Sequence, residues 1–125
     1  MEFYYHELDK DVLVISADGG LDASTADEFT RDIEKVANLG VRKLIVDCTN
    51  LTYISSRGIS ALLLTNKRMK TVGCDVKIAG VRSFVLDVLR LARLDAFFDL
   101  YPDVNAARLA FRPRDDEAPP NKPAS

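Results

Sequence analysis

The chain has little of what most catalytic or membrane-inserted proteins need. Histidine occurs once, as His6, and cysteine twice, as Cys48 and Cys74, without a Cys-x-x-Cys spacing. A Ser-His-Asp or Cys-His site would have to be built on His6 alone, and no Gly-x-Ser-x-Gly elbow accompanies it. A structural or edge-exposed histidine is the better reading. No cluster of His, Cys and carboxylates stands at metal-ligand spacing. The Gly-x-x-x-x-Gly-Lys-[Ser/Thr] and Gly-x-Gly-x-x-Gly patterns that cradle nucleotides are also missing. Enzymatic activity, a metal and a cofactor are therefore not expected. Apolar runs fall short of the roughly 20 residues that span a bilayer, and the N-terminus lacks an export signal. Together with the cysteine usage, this points to a reduced cytoplasmic protein without a membrane partner. A basic excess is absent as well. Lys plus Arg is 17 against 19 Asp plus Glu, a net charge of −2, which argues against nucleic-acid binding.

What is present suits one compact domain. The 125 residues are 47% apolar, enough for a core without disulfides or metals. Residues 113–125 hold four of the five prolines and no aromatic residue, so they read as a disordered tail after a domain spanning 1–112. Charge is uneven along the chain. Residues 1–56 carry a net −6, residues 57–82 a net +5, and the remainder −1. The middle stretch, with Arg57, Lys67, Arg68, Lys70, Lys77 and Arg82, predicts either a basic band on an acidic domain or a solvated helix face.

The periodicity gives an order of elements. Phe3–Leu8 and Val12–Ala17 read as two short strands joined by Asp9-Lys10-Asp11, and Asp18-Gly19-Gly20 then breaks the chain. Thr25-x-x-Glu28 is a candidate capping box for a helix burying Ala26, Phe29, Ile33, Val36 and Ala37, with Gly40 as its stop. Val41–Cys48 is a strand without alternation, as expected where both faces are covered. Ser56 to Thr71 is a second helix with Ile59, Leu62, Leu63, Asn66 and Met69 inward, ended by Gly73. Val76–Ala79 is a buried strand, and Phe84, Val85, Val88, Leu89 and Ala92 mark a third helix. Leu94–Leu100 holds a last short strand around Phe97-Phe98, and Asp103 caps a helix through Val104, Ala107, Leu109 and Phe111. The order predicts an α/β domain with a mostly parallel sheet, one antiparallel edge strand and about four helices.

The unusual stretch runs from Asp47 to Ile59. A buried strand ends, a short loop follows, and Ser55 and Ser56 meet the start of an amphipathic helix. Sites in α/β sheets gather where strands end and helices begin, although either serine also suits a plain N-cap. On a helical wheel Arg57, Ala61, Leu64 and Arg68 fall within about 60° of one another, opposite the inner face. This outward stripe, an apolar pair framed by two arginines, reads as a docking surface.

The chain resembles the STAS domain, and within it the small bacterial anti-sigma factor antagonists. The resemblance is carried by Gly20-Leu21-Asp22 with Thr25-Ala26, by Leu44-Ile45-Val46-Asp47 leading into Tyr53-Ile54-Ser55-Ser56-Arg57-Gly58-Ile59, and by Gly73-Cys74-Asp75-Val76. It covers roughly residues 4 to 111 in element order. It implies that Ser56, two residues before Gly58, is phosphorylated by a GHKL-type serine kinase that doubles as an anti-sigma factor. The unmodified form would bind that kinase and free a sigma factor, and a PP2C-type phosphatase would reset it. It also implies a partner surface of Asp22, Ser55, Ser56, Arg57, Gly58, Ala61, Leu64 and Arg68. Two positions depart from the family pattern. Ser55 stands where Asp is frequent, which leaves a rival acceptor, and Arg57 stands where a small residue is frequent. Two alternatives remain at this level: a stand-alone STAS subunit of a stressosome-like, transporter or other signalling complex, and a small ligand- or nucleotide-binding module using Gly19-Gly20 with the Ser55-Ser56 loop.

Overall fold

Residues 2–9 and 11–111 are described by the structure, a computed structural model, with residues 2–9 followed as backbone only. The tail expected at 113–125 and the His6 side chain lie outside what it describes. Strand β1 (Glu2–Asp9) pairs antiparallel with β2 (Val12–Leu21), which confirms the expected hairpin. The next elements are α1 (Ala26–Asn38), β3 (Lys43–Asp47), β4 (Leu51–Ile54), α2 (Ser56–Thr71), β5 (Asp75–Ala79), α3 (Ser83–Leu91), β6 (Leu100–Tyr101) and α4 (Val104–Ala110). The sheet runs β1-β2-β3-β5-β6, with β1 antiparallel to β2 and the other pairs parallel. Because the parallel strands advance in one direction, right-handed crossovers place α1, α2 and α3 on a single face.

The alternation of β3 shows the two layers. Leu44 and Val46 join the main core with Phe29, Ile33, Leu62, Met69, Val85 and Leu89, whereas Ile45 turns to the other face. There it meets Val12, Val14, Ala79 and Ala107, and α4 covers them. An unalternating apolar strand is what burial on both faces requires. Gly40 and Gly73 follow α1 and α2 with φ of 80° and 82°, a region that favours glycine, so both expected stops hold. Asp103 caps α4, its carboxylate accepting from the Ala106 N–H at 2.7 Å.

Four expectations need correction. The chain does not break at Asp18-Gly19-Gly20: β2 continues through these residues to Leu21, with a register shift between Gly19 and Gly20. The loop expected before the serines contains β4, which pairs with the far end of β2, Gly20 opposite Tyr53 and Leu21 opposite Ile54. The last strand is Leu100–Tyr101, while the Phe97 and Phe98 N–H groups both donate to the Leu94 carbonyl in a turn. Aromatic β-propensity there reflects burial of Phe98 rather than strand geometry. Finally, Lys77 does not belong to a surface band.

Lys77 lies 5% exposed on the α4 face. Its ammonium donates to Asp99 at 2.7 Å, sits 3.5 Å from Asp75, and lies over the rings of Tyr101 and Phe111 at 5.3 and 4.8 Å. Burial pulls its pKa down, but the Asp99 hydrogen bond and the neighbouring anions outweigh that, and the net shift is upward. A raised lysine pKa contributes stability below the unfolded value, and that contribution is lost as pH rises through the folded one. Asp99→Asn should therefore lower stability in urea melts at pH 7 by about 1 kcal/mol, because the amide oxygen can still accept from Lys77 but the charge assistance is lost. The deficit should shrink above the ordinary lysine range.

Candidate functional site

The site is built where the far end of β2 meets the first turn of α2. Ser55 is the N-cap of α2, with extended backbone (φ −97°, ψ 173°) and an Oγ that accepts from the Gly58 N–H at 3.1 Å. Its own N–H donates to the Leu21 carbonyl at 3.0 Å, and its carbonyl accepts from Ile59 at 2.8 Å. The plain N-cap reading of the two serines thus applies to Ser55. Gly58 presses against the same Leu21 peptide. A Cβ there would lie 2.1 Å from the Leu21 oxygen and 2.8 Å from its carbon, so no larger residue fits without moving the helix. The spacing Ser55-x-x-Gly58 is a structural requirement of the strand-to-helix junction.

Ser56 follows as the first residue of α2. It is exposed, and its hydroxyl makes no hydrogen bond among the described residues. Arg57 reaches across to α1, with Nη2 3.3 Å from Asp27 Oδ1. Asp22 sits in the turn before α1, where its carboxylate accepts from the Ser24 hydroxyl at 2.6 Å and the Ser24 N–H at 2.9 Å. Those bonds, with help from Thr25, hold its pKa below the usual carboxylate range. The turn they order is therefore firmest at neutral pH and loosens as pH falls through that lowered value. The expected capping box is not formed. Thr25 is the N-cap by position but makes no cap hydrogen bond with its side chain, and its hydroxyl donates to the Gly20 carbonyl at 2.9 Å instead. The Thr25 oxygen meanwhile accepts from the Asp22 N–H at 3.0 Å, so the tight turn has taken the acceptor that a cap would use.

The outward stripe of α2 is only partly outward. Leu64 is 45% exposed, as the wheel requires, but Ala61 is 9% exposed and Thr65 4%. The wheel assumed that the sheet alone covers α2, whereas α1 packs alongside and buries a second row. Arg57 and Arg68 frame that row, yet each is ion-paired to α1, Arg57 to Asp27 and Arg68 to Glu34. Beyond Leu64 a groove of about 470 Å³ opens between the ends of the two helices, lined by Glu34, Ala37, Leu64, Arg68, Met69 and Val72.

Asp27, Tyr53 and Phe84 border this corner and are not among the site residues expected from the sequence. Tyr53 on β4 and Phe84 at the start of α3 stack at 5.7 Å with planes 5° apart, and both are about half exposed. Phe84, one of the residues that mark the third helix in the sequence, lies on its exposed side. The pairing of β4 with β2 puts Tyr53 over Gly20, the signal that alternation in so short a strand cannot give. The same pairing removes Gly19 and Gly20 from any open phosphate loop with the serines. Cys48 and Cys74 are remote from the corner, and burial pushes their thiols up to about 12 and about 11, with Asp47 and Asp75 adding to the shifts. They stay protonated and inert.

The STAS domain family model matches residues 6–107. Among relatives in sequence is the Bordetella bronchiseptica protein BtrV, provisionally named an anti-sigma factor antagonist. It is 23% identical over 101 residues, covering 81% of this chain and 87% of BtrV. Among solved structures, an anti-sigma factor antagonist from Mycobacterium paratuberculosis has a TM-score of 0.78 at 22% identity, over 87% of this chain and 92% of that one. The Bacillus protein SpoIIAA in its phosphorylated form gives a TM-score of 0.66 at 15% identity, over 88% of this chain and 100% of that one, and its unphosphorylated form gives 0.65. Among the described residues no helix is long and apolar enough to cross a membrane.

Substitutions at the corner should separate scaffold from surface. Gly58→Ala should lower stability by about 1–3 kcal/mol and displace the amide resonances of Leu21 and Ser55. Ser55→Ala should cost about 1 kcal/mol through the lost cap, while Ser56→Ala should melt with the parent, both read by chemical denaturation.

Proposed function

The chain belongs to the STAS domain family, and on that footing we propose that it is a cytoplasmic anti-sigma factor antagonist whose partner binding is switched at Ser56. In this reading the unmodified form docks on an anti-sigma factor serine kinase of the GHKL type, phosphorylation of Ser56 releases it, and a PP2C-type phosphatase restores it. The observation that carries the reading is the division of labour between the two serines. Ser55 is committed to the helix cap, whereas Ser56 presents an unengaged hydroxyl on a corner fixed by Gly58. Ser55, the rival acceptor, would have to give up its bond to Gly58 for a kinase to use its oxygen in the same way. SpoIIAA, which shares the fold, occurs in both phosphorylated and unphosphorylated forms.

The proposed surface comprises Asp22, Ser56, Leu64 and the exposed ends of Arg57 and Arg68, with Ser55, Gly58 and Ala61 holding its shape. A phosphate on Ser56 adds about −1.5 to −2 charges next to free N–H groups and the positive end of α2. The modified domain therefore stays folded, and the loss of binding arises in the interface, where a neutral hydroxyl has become a bulky solvated anion. A hundredfold loss requires only about 2.7 kcal/mol.

Incubation with the cognate kinase and ATP, followed by mass spectrometry, should place phosphate on Ser56; phosphate on Ser55 alone would overturn the assignment. Ser56→Ala should bind the kinase constitutively and Ser56→Asp weakly, as read by calorimetry. Leu64→Asp should weaken docking at least tenfold with an unchanged melting curve.

A further inference from the structure

Arg57 directly follows Ser56 and is the one cation in the first turns of α1 and α2 and in the turn from 20 to 25. Its guanidinium lies 3.3 Å from Asp27 by a single contact, with the two side chains 59% and 70% exposed. An exposed pair of this kind is weak and easily exchanged. The other charges in these first turns are anions, and the remaining cations of the two helices, Arg31 and Lys35 on α1 and Lys67, Arg68 and Lys70 on α2, stand beyond the first turn. Asp22 is already bonded to Ser24, Glu28 stands in the first turn of α1, and β4 carries no charge. A neutral Ser56 hydroxyl makes no use of the neighbouring cation. A phosphate there would outbid a single carboxylate, because it carries nearly twice the charge and presents oxygens that match the guanidinium fork.

We propose that Arg57 is an exchangeable counter-ion, held by Asp27 while Ser56 is a free hydroxyl and transferred to the phosphate once Ser56 is modified. The inference rests on Ser56 being the modified residue. Its consequence is that phosphorylation alters two helices. The phosphate on α2 is partly neutralised, and the Asp27 carboxylate on α1 is left bare, so a partner spanning both first turns meets two new anionic points instead of one.

The test uses the full chain with phosphoserine installed at position 56 during translation, so its outcome does not depend on any kinase. If a kinase fails to modify Ser56, the functional reading falls without affecting this measurement; if the exchange fails while the kinase acts, only the exchange falls. Phosphorus NMR should show the second phosphate ionisation of the parent at least about half a unit below that of Arg57→Gln, with Arg57→Lys recovering part of the difference. The guanidinium carbon resonance of Arg57 should respond to Asp27→Asn in the unmodified protein and not in the phosphoprotein. A smaller separation between parent and Arg57→Gln, or a response to Asp27→Asn that persists after phosphorylation, overturns the proposal.

Discussion

The carbonyl of Leu21 organises the functional end of the molecule. It closes the far end of β2, accepts from the Ser55 N–H that begins α2, and forms the floor on which Gly58 rests. Because Gly58 has no side chain, the first turn of α2 approaches the strand closely enough for Ser55 to cap it. Ser56 is then left at the rim with its hydroxyl outward. A bulkier residue at 58 would lift the turn, and the position of the hydroxyl would become a matter of loop flexibility. Close backbone approach is therefore what converts an ordinary helix start into a defined point of contact.

Charge is arranged around this corner by packing more than by composition. The chain between residues 57 and 82 is strongly basic in sequence, and in the folded domain that excess is divided between ion pairs, one buried lysine and the exposed Lys67, Lys70 and Arg82. Arg57 and Arg68 are matched by Asp27 and Glu34 along the seam between α1 and α2, and Lys77 is drawn under α4 between Asp75 and Asp99. Toward solvent at the corner stand the Ser56 hydroxyl, the half-exposed Leu64, the outer ends of Arg57 and Arg68 and the stacked rings of Tyr53 and Phe84. The exposed ion pairs of this surface contribute little to the fold itself, and under the proposed function it would discriminate by shape and by the state of the Ser56 hydroxyl. A single added anion can then matter at the interface while the core, on the other side of α2, is untouched.

Much of this was legible in the sequence. The hairpin, the doubly covered β3, the inner row of Leu62, Asn66 and Met69, the glycine stops and the Asp103 cap follow from periods and residue chemistry acting over a few neighbouring residues. The serine-glycine segment and its place before a helix were likewise visible. Most of the errors depended on something distant in the chain, while those at Thr25 and at Phe97-Phe98 came from tight turns whose hydrogen bonds compete with the expected ones. The β2 extension and β4 exist because they pair with each other across about thirty residues. Thr25 spent its acceptor on the Asp22 N–H, and Ala61 was covered by a helix that a wheel drawn for α2 alone does not contain.

The sequence by itself determined the kind of element at each stretch and the residues that meet at the corner, because side-chain periodicity and turn chemistry are local properties. Only the tertiary structure decided which serine serves the helix and which faces outward, and that Arg57 has a counter-ion on α1. Those outcomes depend on distances between segments that are remote in the chain, set by strand pairing and helix packing.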